Sequence, residues 1–322
     1  MIEYDVSAVL EDEHTRLANK YVNAFRDYLV AVVLKNAPQT RDARLRLEDV
    51  VREAMGKAEV LGALSALRQA SKIIANETTF SSTVIDSSSF VAERANLIAF
   101  ADSSATNILS RVTFAEALED LVDRVPATLR GAAERTAGKI ADLYSDNRGV
   151  LAFARSAEEA VTQRAQELIT KGMREGIPEN EIGKTLAFDV NRVRKETEAW
   201  TEGYARMAFR TNLNSAVSEG RLRQARDPDV KTVVPALRYT AVGDGDTRSN
   251  HQAADGVILS ADNTAWRYMR PPFGYNCRCQ LDLVSLPELR RMGKIDSAGK
   301  VIESRIPNSA KPDPGFRPGG SP

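Results

Sequence analysis

The chain has 322 residues, with 44 Lys plus Arg against 44 Asp plus Glu and a formal net charge of zero. That length is enough for about two domains, and the charge balance excludes a protein that coats nucleic acid along its whole length, leaving only a local basic patch open. A content of 43% hydrophobic and 27% charged residues excludes wholesale disorder, and two cysteines with two histidines exclude a disulfide scaffold or a zinc-finger array.

The first 75 residues are expected to be helical. Leu17, Tyr21, Phe25, Tyr28 and Val32 recur at spacings of three and four, which places them on one helical stripe. Pro38 interrupts that stripe, and a second periodicity follows in Leu45, Leu47, Val50, Val51 and Met55, then Val60, Leu61, Leu64 and Leu67. The apolar run Tyr28 to Leu34 is far shorter than the ~20 residues a membrane span needs. An N-terminus carrying Glu3, Asp5, Glu11, Asp12 and Glu13 is acidic where an export signal is basic. Synthesis in a cytosol-like compartment, reduced cysteines and no membrane partner are therefore expected.

Residues 76–89 are rich in Ser and Thr and read as a linker. Helical character returns over 90–170 and continues to about Arg226. Gly176-Ile177-Pro178 reads as a helix–helix corner, a commoner explanation than the turn of a DNA-reading motif. Thr197 to Gly220 reads as the longest clean helix, with Trp200, Tyr204, Met207, Ala208, Leu213 and Val217 on its apolar stripe. Around it stand Arg192, Arg194, Lys195, Arg206, Arg210, Arg221, Arg223 and Arg226, against Glu196, Glu198, Glu202 and Glu219. A solvated face explains most of this excess. Arg206, Arg210, Arg221 and Arg223 are the candidates for contact with DNA phosphate or an acidic partner surface.

After Asp227-Pro228 the texture changes to β-branched residues and glycines. Strands are expected over Ala236 to Val242, Gly256 to Leu259 and Cys279 to Val284, with a closing helix over Leu286 to Met292. The fold class is thus α+β: a mainly helical first two thirds, then a small α+β domain over 171–295. Residues 296–322, dominated by Gly, Pro, Ser and charge, are expected to be an extended or disordered tail.

Both cysteines and one of the two histidines fall between Asp244 and Cys279. His251, Cys277 and Cys279 are ligand types that Zn²⁺ prefers, and Asp246 is the candidate fourth, so a structural zinc site is one reading. In a regular strand the two thiols of a Cys-x-Cys share a face but stand two residues, about 6.6 Å, apart along it, so one ion can be shared only if the chain turns there. A disulfide across one intervening residue would be strained. The competing reading is that both are small buried hydrophobes. Trp266 is expected to pack beside the cluster, with Asp246 and Arg248 holding the local turn by hydrogen bonds.

Chemistry for turnover is thin. There is no His-Glu-x-x-His, no Gly-x-Ser-x-Gly and no Gly-x-x-x-x-Gly-Lys-Ser/Thr phosphate loop. No Glu lies between Glu219 and Glu288, so a hydrolase would need an aspartate as base. Residues 244–255 have the length of a calcium loop, but Arg248 and Ser249 stand where an acid and a glycine are needed.

Taken together, Arg210-Thr211, Asp246-x-Arg248-x-x-His251-x-x-x-Asp255-Gly256, Pro271-Pro272-x-x-x-Asn276-Cys277-Arg278-Cys279 and Asp313-Pro314-Gly315-Phe316 resemble the Mu-type minor head, or head morphogenesis, proteins of tailed bacteriophages. The resemblance runs from about Gly172 to Phe316, and the Pro-Pro to Cys-Arg-Cys element is its most specific part. Where the family often has Arg-Thr-Glu, this chain has Asn212. The resemblance implies a non-enzymatic structural role in the virion head, in few copies. Its implied partners are the portal protein and the major capsid protein, with double-stranded DNA as a further contact. The alternative from a different class is a metal-dependent nuclease or hydrolase in phage DNA processing.

Overall fold

The computed structural model describes residues 17–24, 27–28, 37–77, 113–145 and 190–318. Side chains at 37–40, 77, 145, 190–206 and 208 lie outside the description. So do the Ser/Thr-rich linker beyond Glu77, the Gly176 corner and the whole of Arg206 past its backbone.

In chain order the elements are α1 (Ala37–Glu77), α2 (Phe114–Asp123), α3 (Ala127–Ser145), α4 (Val190–Ala225), α5 (Pro228–Lys231), β1 (Ala236–Thr240), α6 (Ser249–Ala254), β2 (Ile258–Ser260), α7 (Trp266–Met269), β3 (Gln280–Val284) and α8 (Leu286–Arg291). Residues 17–24 are also helical. The fold is α+β and mainly helical, as expected. The longest described helix is α1, at 41 residues, rather than α4 at 36. Pro38 falls in the first turn of α1, where its missing N–H has no intrahelical partner to lose, so it opens the second helix as well as ending the first stripe.

The helices α1 and α4 pack against each other, and two glycines allow their close approach where they cross. A Cβ on Gly62 would collide with the Val217 carbonyl oxygen, and one on Gly220 with the Glu59 carbonyl oxygen. Beside this crossing the charges are internal. Glu59, buried, accepts from Arg223 Nε at 2.9 Å, and Glu219 accepts from Arg223 and pairs with Arg270. The helix α2 starts with a capping box: Glu116 N–H donates to Thr113 Oγ1 at 3.3 Å while Thr113 N–H donates to Glu116 Oε2 at 2.5 Å. Helix α3 is tied to the start of α5 by the fork of Arg135 on Asp227, with both contacts at 2.8 Å.

The sheet has the order β2-β1-β3 and is antiparallel throughout. Its alternation sorts the strands between two cores, because successive side chains of a strand face opposite ways. Leu237, Tyr239, Leu259, Leu281 and Leu283 join the large core shared with α1, α3 and α4. Ala236, Ile258 and Val284 face the other way, under Leu289 of α8, with Ile295 and Val301 packed against them. The register agrees: Leu237 stands opposite both Leu259 and Leu283, and Tyr239 opposite Leu281.

The tail is extended in its backbone but is packed along the described residues, which alters the expectation of a free segment. Ser304 N–H donates to the Ile258 carbonyl at 2.8 Å, Ala310 is buried, and Asp313 N–H donates to the Phe273 carbonyl at 2.7 Å. Among the described residues no helix is long and apolar enough to cross a membrane.

Candidate functional site

Three elements converge on the Cys-x-Cys segment: α4 from below, α6 from the side and the tail across the top. The chain turns at Tyr275-Asn276, before β3 begins, and Asn276 sits in the left-handed region at φ 58°. Asparagine tolerates that conformation better than most residues. The turn draws both thiols toward one point, where a regular strand would hold them two residues apart along one face; neither Cys277 nor Cys279 lies in the strand.

Helix α4 holds the segment from beneath. Asn214 Nδ2 donates to the Cys277 carbonyl at 2.8 Å and to the Cys279 carbonyl at 3.2 Å. Thr211 Oγ1 accepts from Asn276 N–H at 3.2 Å while donating to Met207 O at 2.8 Å. Thr211 belongs to the Arg-Thr pair noted in the sequence, but Asn214 was missed. Its signal was a polar residue beside Leu213 and Val217, on the face that carries the apolar stripe.

Helix α6 brings His251, buried, to the two sulfurs. Its Nδ1 lies 3.6 Å from Cys277 Sγ and 3.5 Å from Cys279 Sγ. The ligand atoms of these three residues fall within 4.8 Å of one another, and all three residues are buried. Of the expected set, Asp246 is the member not gathered here. It lines the adjoining cavity of about 440 Å³ together with Arg210, Arg248 and the three residues themselves. Its own N–H donates to Asp244 Oδ1 at 3.2 Å, and it is Asp244, bonded also by Thr247 at 2.9 Å and Arg278 at 2.8 Å, that ties this turn. Arg278 hydrogen-bonding to Asp244 holds that carboxyl below the usual carboxylate range. Arg248 does not close its own turn but reaches across to the Cys-x-Cys side, donating to the Tyr275 carbonyl at 3.0 Å.

The ring packed on His251 is Phe273, edge-on at 5.6 Å between centroids, with Tyr239 behind it at 4.7 Å. Trp266 is fully buried with its indole N–H donating to Ser260 O at 2.9 Å. Pro271-Pro272 is joined by a cis bond just before Phe273. Asp255 accepts from Ala241 N–H at 2.8 Å, and Gly256, at φ 73°, turns the chain so that its N–H reaches the Tyr239 carbonyl.

The thiols interact strongly. A hydrogen bond from Cys279 holds the Cys277 thiol below the usual thiol range against the opposing effect of burial, and His251 adds to it. The same bond, with burial, pushes Cys279 above that range. Burial and the two neighbouring thiol groups keep the Tyr239 phenol protonated far above its usual range. On the other edge of the His251 ring, Nε2 is buried with no hydrogen bond and faces Asp313 Oδ1 at 3.6 Å.

Two of the arginines expected to meet a partner are structural. Arg221 is buried, and donates to Leu281 O at 2.7 Å and Ser65 Oγ at 2.8 Å, linking α4 to α1 and β3. Burial pulls its guanidinium below the usual range, partly offset by Asp282. Arg223 is engaged by Glu59 and Glu219. A partner cannot reach Arg221 without unfolding it, so that expectation is corrected. Arg210 is exposed.

Residues 163–282 match the family model described as Phage Mu protein F like protein. The chain is 27% identical over 152 residues to a protein of Escherichia phage Mu named for capsid assembly, protein F; that stretch is 44% of this chain and 35% of the relative. It is 34% identical over 99 residues to the Mu-like prophage FluMu F protein of Haemophilus influenzae, which is 30% of this chain and 23% of the relative. The chain thus matches about a third or less of the length of these curated relatives. No solved structure matches. The resemblance read from the Pro-Pro to Cys-Arg-Cys element therefore holds as a similarity: residues 163–282, which contain His251, Cys277 and Cys279, resemble the phage Mu protein F family.

Proposed function

We propose that the protein is a structural component of head assembly in a tailed bacteriophage, made in the host cytoplasm and carried in the virion head. The observation that carries this reading is the match of residues 163–282 to the Mu F family model, together with a relative named for capsid assembly. The role is one of contact rather than turnover.

The partners in this reading are the portal protein at the portal vertex and the major capsid protein of the inner shell, with packaged double-stranded DNA as a further contact. For DNA or an acidic portal surface the candidate is exposed Arg210, beside Arg248 and Arg278, which are exposed but engaged by Asp313 and Asp244. The test is mass spectrometry and cross-linking on purified heads from the phage that encodes the chain. The expected result is a few copies per head, cross-linked to portal or shell subunits, and defective heads when the gene is deleted. Absence from heads, with normal head yield after deletion, overturns the reading.

A further inference from the structure

We propose that His251 through Nδ1, Cys277 and Cys279 bind one zinc ion, and that this centre fastens the C-terminal tail to the domain through Asp313. The inference stands apart from the assembly role, since it rests on geometry alone.

The distances carry the first half. Tetrahedral zinc with Zn–S of about 2.3 Å and Zn–N of about 2.0–2.1 Å puts a bound nitrogen and sulfur about 3.6 Å apart. His251 Nδ1 lies 3.6 Å from one sulfur and 3.5 Å from the other. A two-centre hydrogen bond does not explain that symmetry, because a ring nitrogen has one proton or one lone pair to direct at one thiol. A shared ion serves both. The segment is also built for it: the turn at Asn276 aligns the thiols, and Asn214 pins the carbonyls of both cysteines. Among the described residues no fourth His, Cys, Asp or Glu joins the set, and the adjoining cavity leaves the fourth position open to water.

Asp313 carries the second half. A ligating histidine donates its other N–H to an outer carboxylate or carbonyl, which fixes ring orientation and strengthens the metal bond. His251 Nε2 is buried without a partner and faces Asp313 Oδ1. Asp313 comes from the tail, outside the residues that match the family model. It is held there by Asn250 Nδ2 at 2.9 Å and by its own N–H on Phe273 O. Gly274 leaves the space for it, as a Cβ there would collide with Asp313 Oδ2. With zinc on Nδ1 the ring must carry its proton on Nε2, the edge that meets Asp313. Metal binding and tail docking therefore favour each other, as linked equilibria must.

The experiment uses the full chain purified with zinc present. Elemental analysis is expected to find about one zinc per chain, the capacity of one ligand set. Chelation should speed trypsin cleavage after Lys300 and Arg305 at least tenfold and leave cleavage within α1 unchanged. Asp313→Asn should bind zinc about 10–100-fold more weakly in chelator competition. Because Cys277→Ser could fail to fold, cobalt loading of the unaltered chain gives an independent readout, with a thiolate-to-cobalt charge-transfer band expected. Less than a tenth of an equivalent of zinc in folded protein, or no such band, overturns the metal site. Stoichiometric zinc with tail cleavage indifferent to chelation overturns the fastening.

Discussion

Asn214 is the single side chain on which the geometry of the Cys-x-Cys turn depends most. Its amide meets two carbonyls of a buried segment that has no strand partner at those positions. Asn214→Ala leaves both carbonyls short of a donor, and the expected loss of stability is about 2 kcal/mol, measured by urea unfolding. The cysteines should also react faster with a thiol reagent in the variant. Arg221 and Arg210 separate just as sharply. Arg221→Ala strips donors from Leu281 O and Ser65 and should destabilise by about 3 kcal/mol. Arg210→Ala, at an exposed position, should change stability by less than about 0.5 kcal/mol. Equal losses in the two variants would show that Arg221 is not the interior clamp.

At the scale of elements, the α1–α4 crossing decides how the helical part meets the sheet. Gly62 and Gly220 are the contact points, each against the opposite backbone. Backbone cannot yield as a flexible side chain can, so Gly220→Ala should destabilise by about 1–3 kcal/mol, with Gly62→Ala similar. Gly138 in α3 is the control, since a Cβ there meets nothing within 4 Å. Gly138→Ala should stabilise by about 0.5–1 kcal/mol through helix propensity and a less mobile unfolded chain. Thermal unfolding of the three variants reads the sign directly. A Gly220→Ala protein as stable as its parent would mean that the helices do not approach as closely as this.

At the scale of the molecule, the attachment of α3 to the segment that leads into the sheet is electrostatic and hence pH-dependent. Burial alone would raise the Asp227 carboxyl, but Arg135 and the Asp229 N–H outweigh it and leave it below the usual range. A carboxylate depressed in the folded state adds stability above its unfolded value of about 3.9 and loses it as pH falls through the folded value. The stability difference between the parent and Arg135→Gln should therefore be present at pH 6 and vanish once acid protonates Asp227. Urea midpoints between pH 6 and the acid limit of folding check this. A difference that is constant with pH would assign Arg135 a packing role only.

Much of this was legible in the chain itself. The strands around Leu237, Leu259 and Leu283 announced themselves by β-branched and apolar runs among glycines, and fell within two residues of where they stand. The grouping of His251, Cys277 and Cys279 was legible as ligand chemistry, because scarce residue types clustered in a short segment. Periodicity reports which face of an element is buried, and a ligand set reports itself by type, so both are local properties of sequence. The partners were not local. Arg221 and Arg210 look alike along α4, and only packing against α1 and β3 buries the first and exposes the second. Asp246 was the carboxylate expected beside the cluster, and Asp313 reaches His251 instead because the tail folds back over Phe273. Element type and ligand chemistry are thus written within a few residues of sequence. Which charge becomes interior, and which acid meets the histidine, depends on contacts between segments far apart in the chain, and only the tertiary structure decides those.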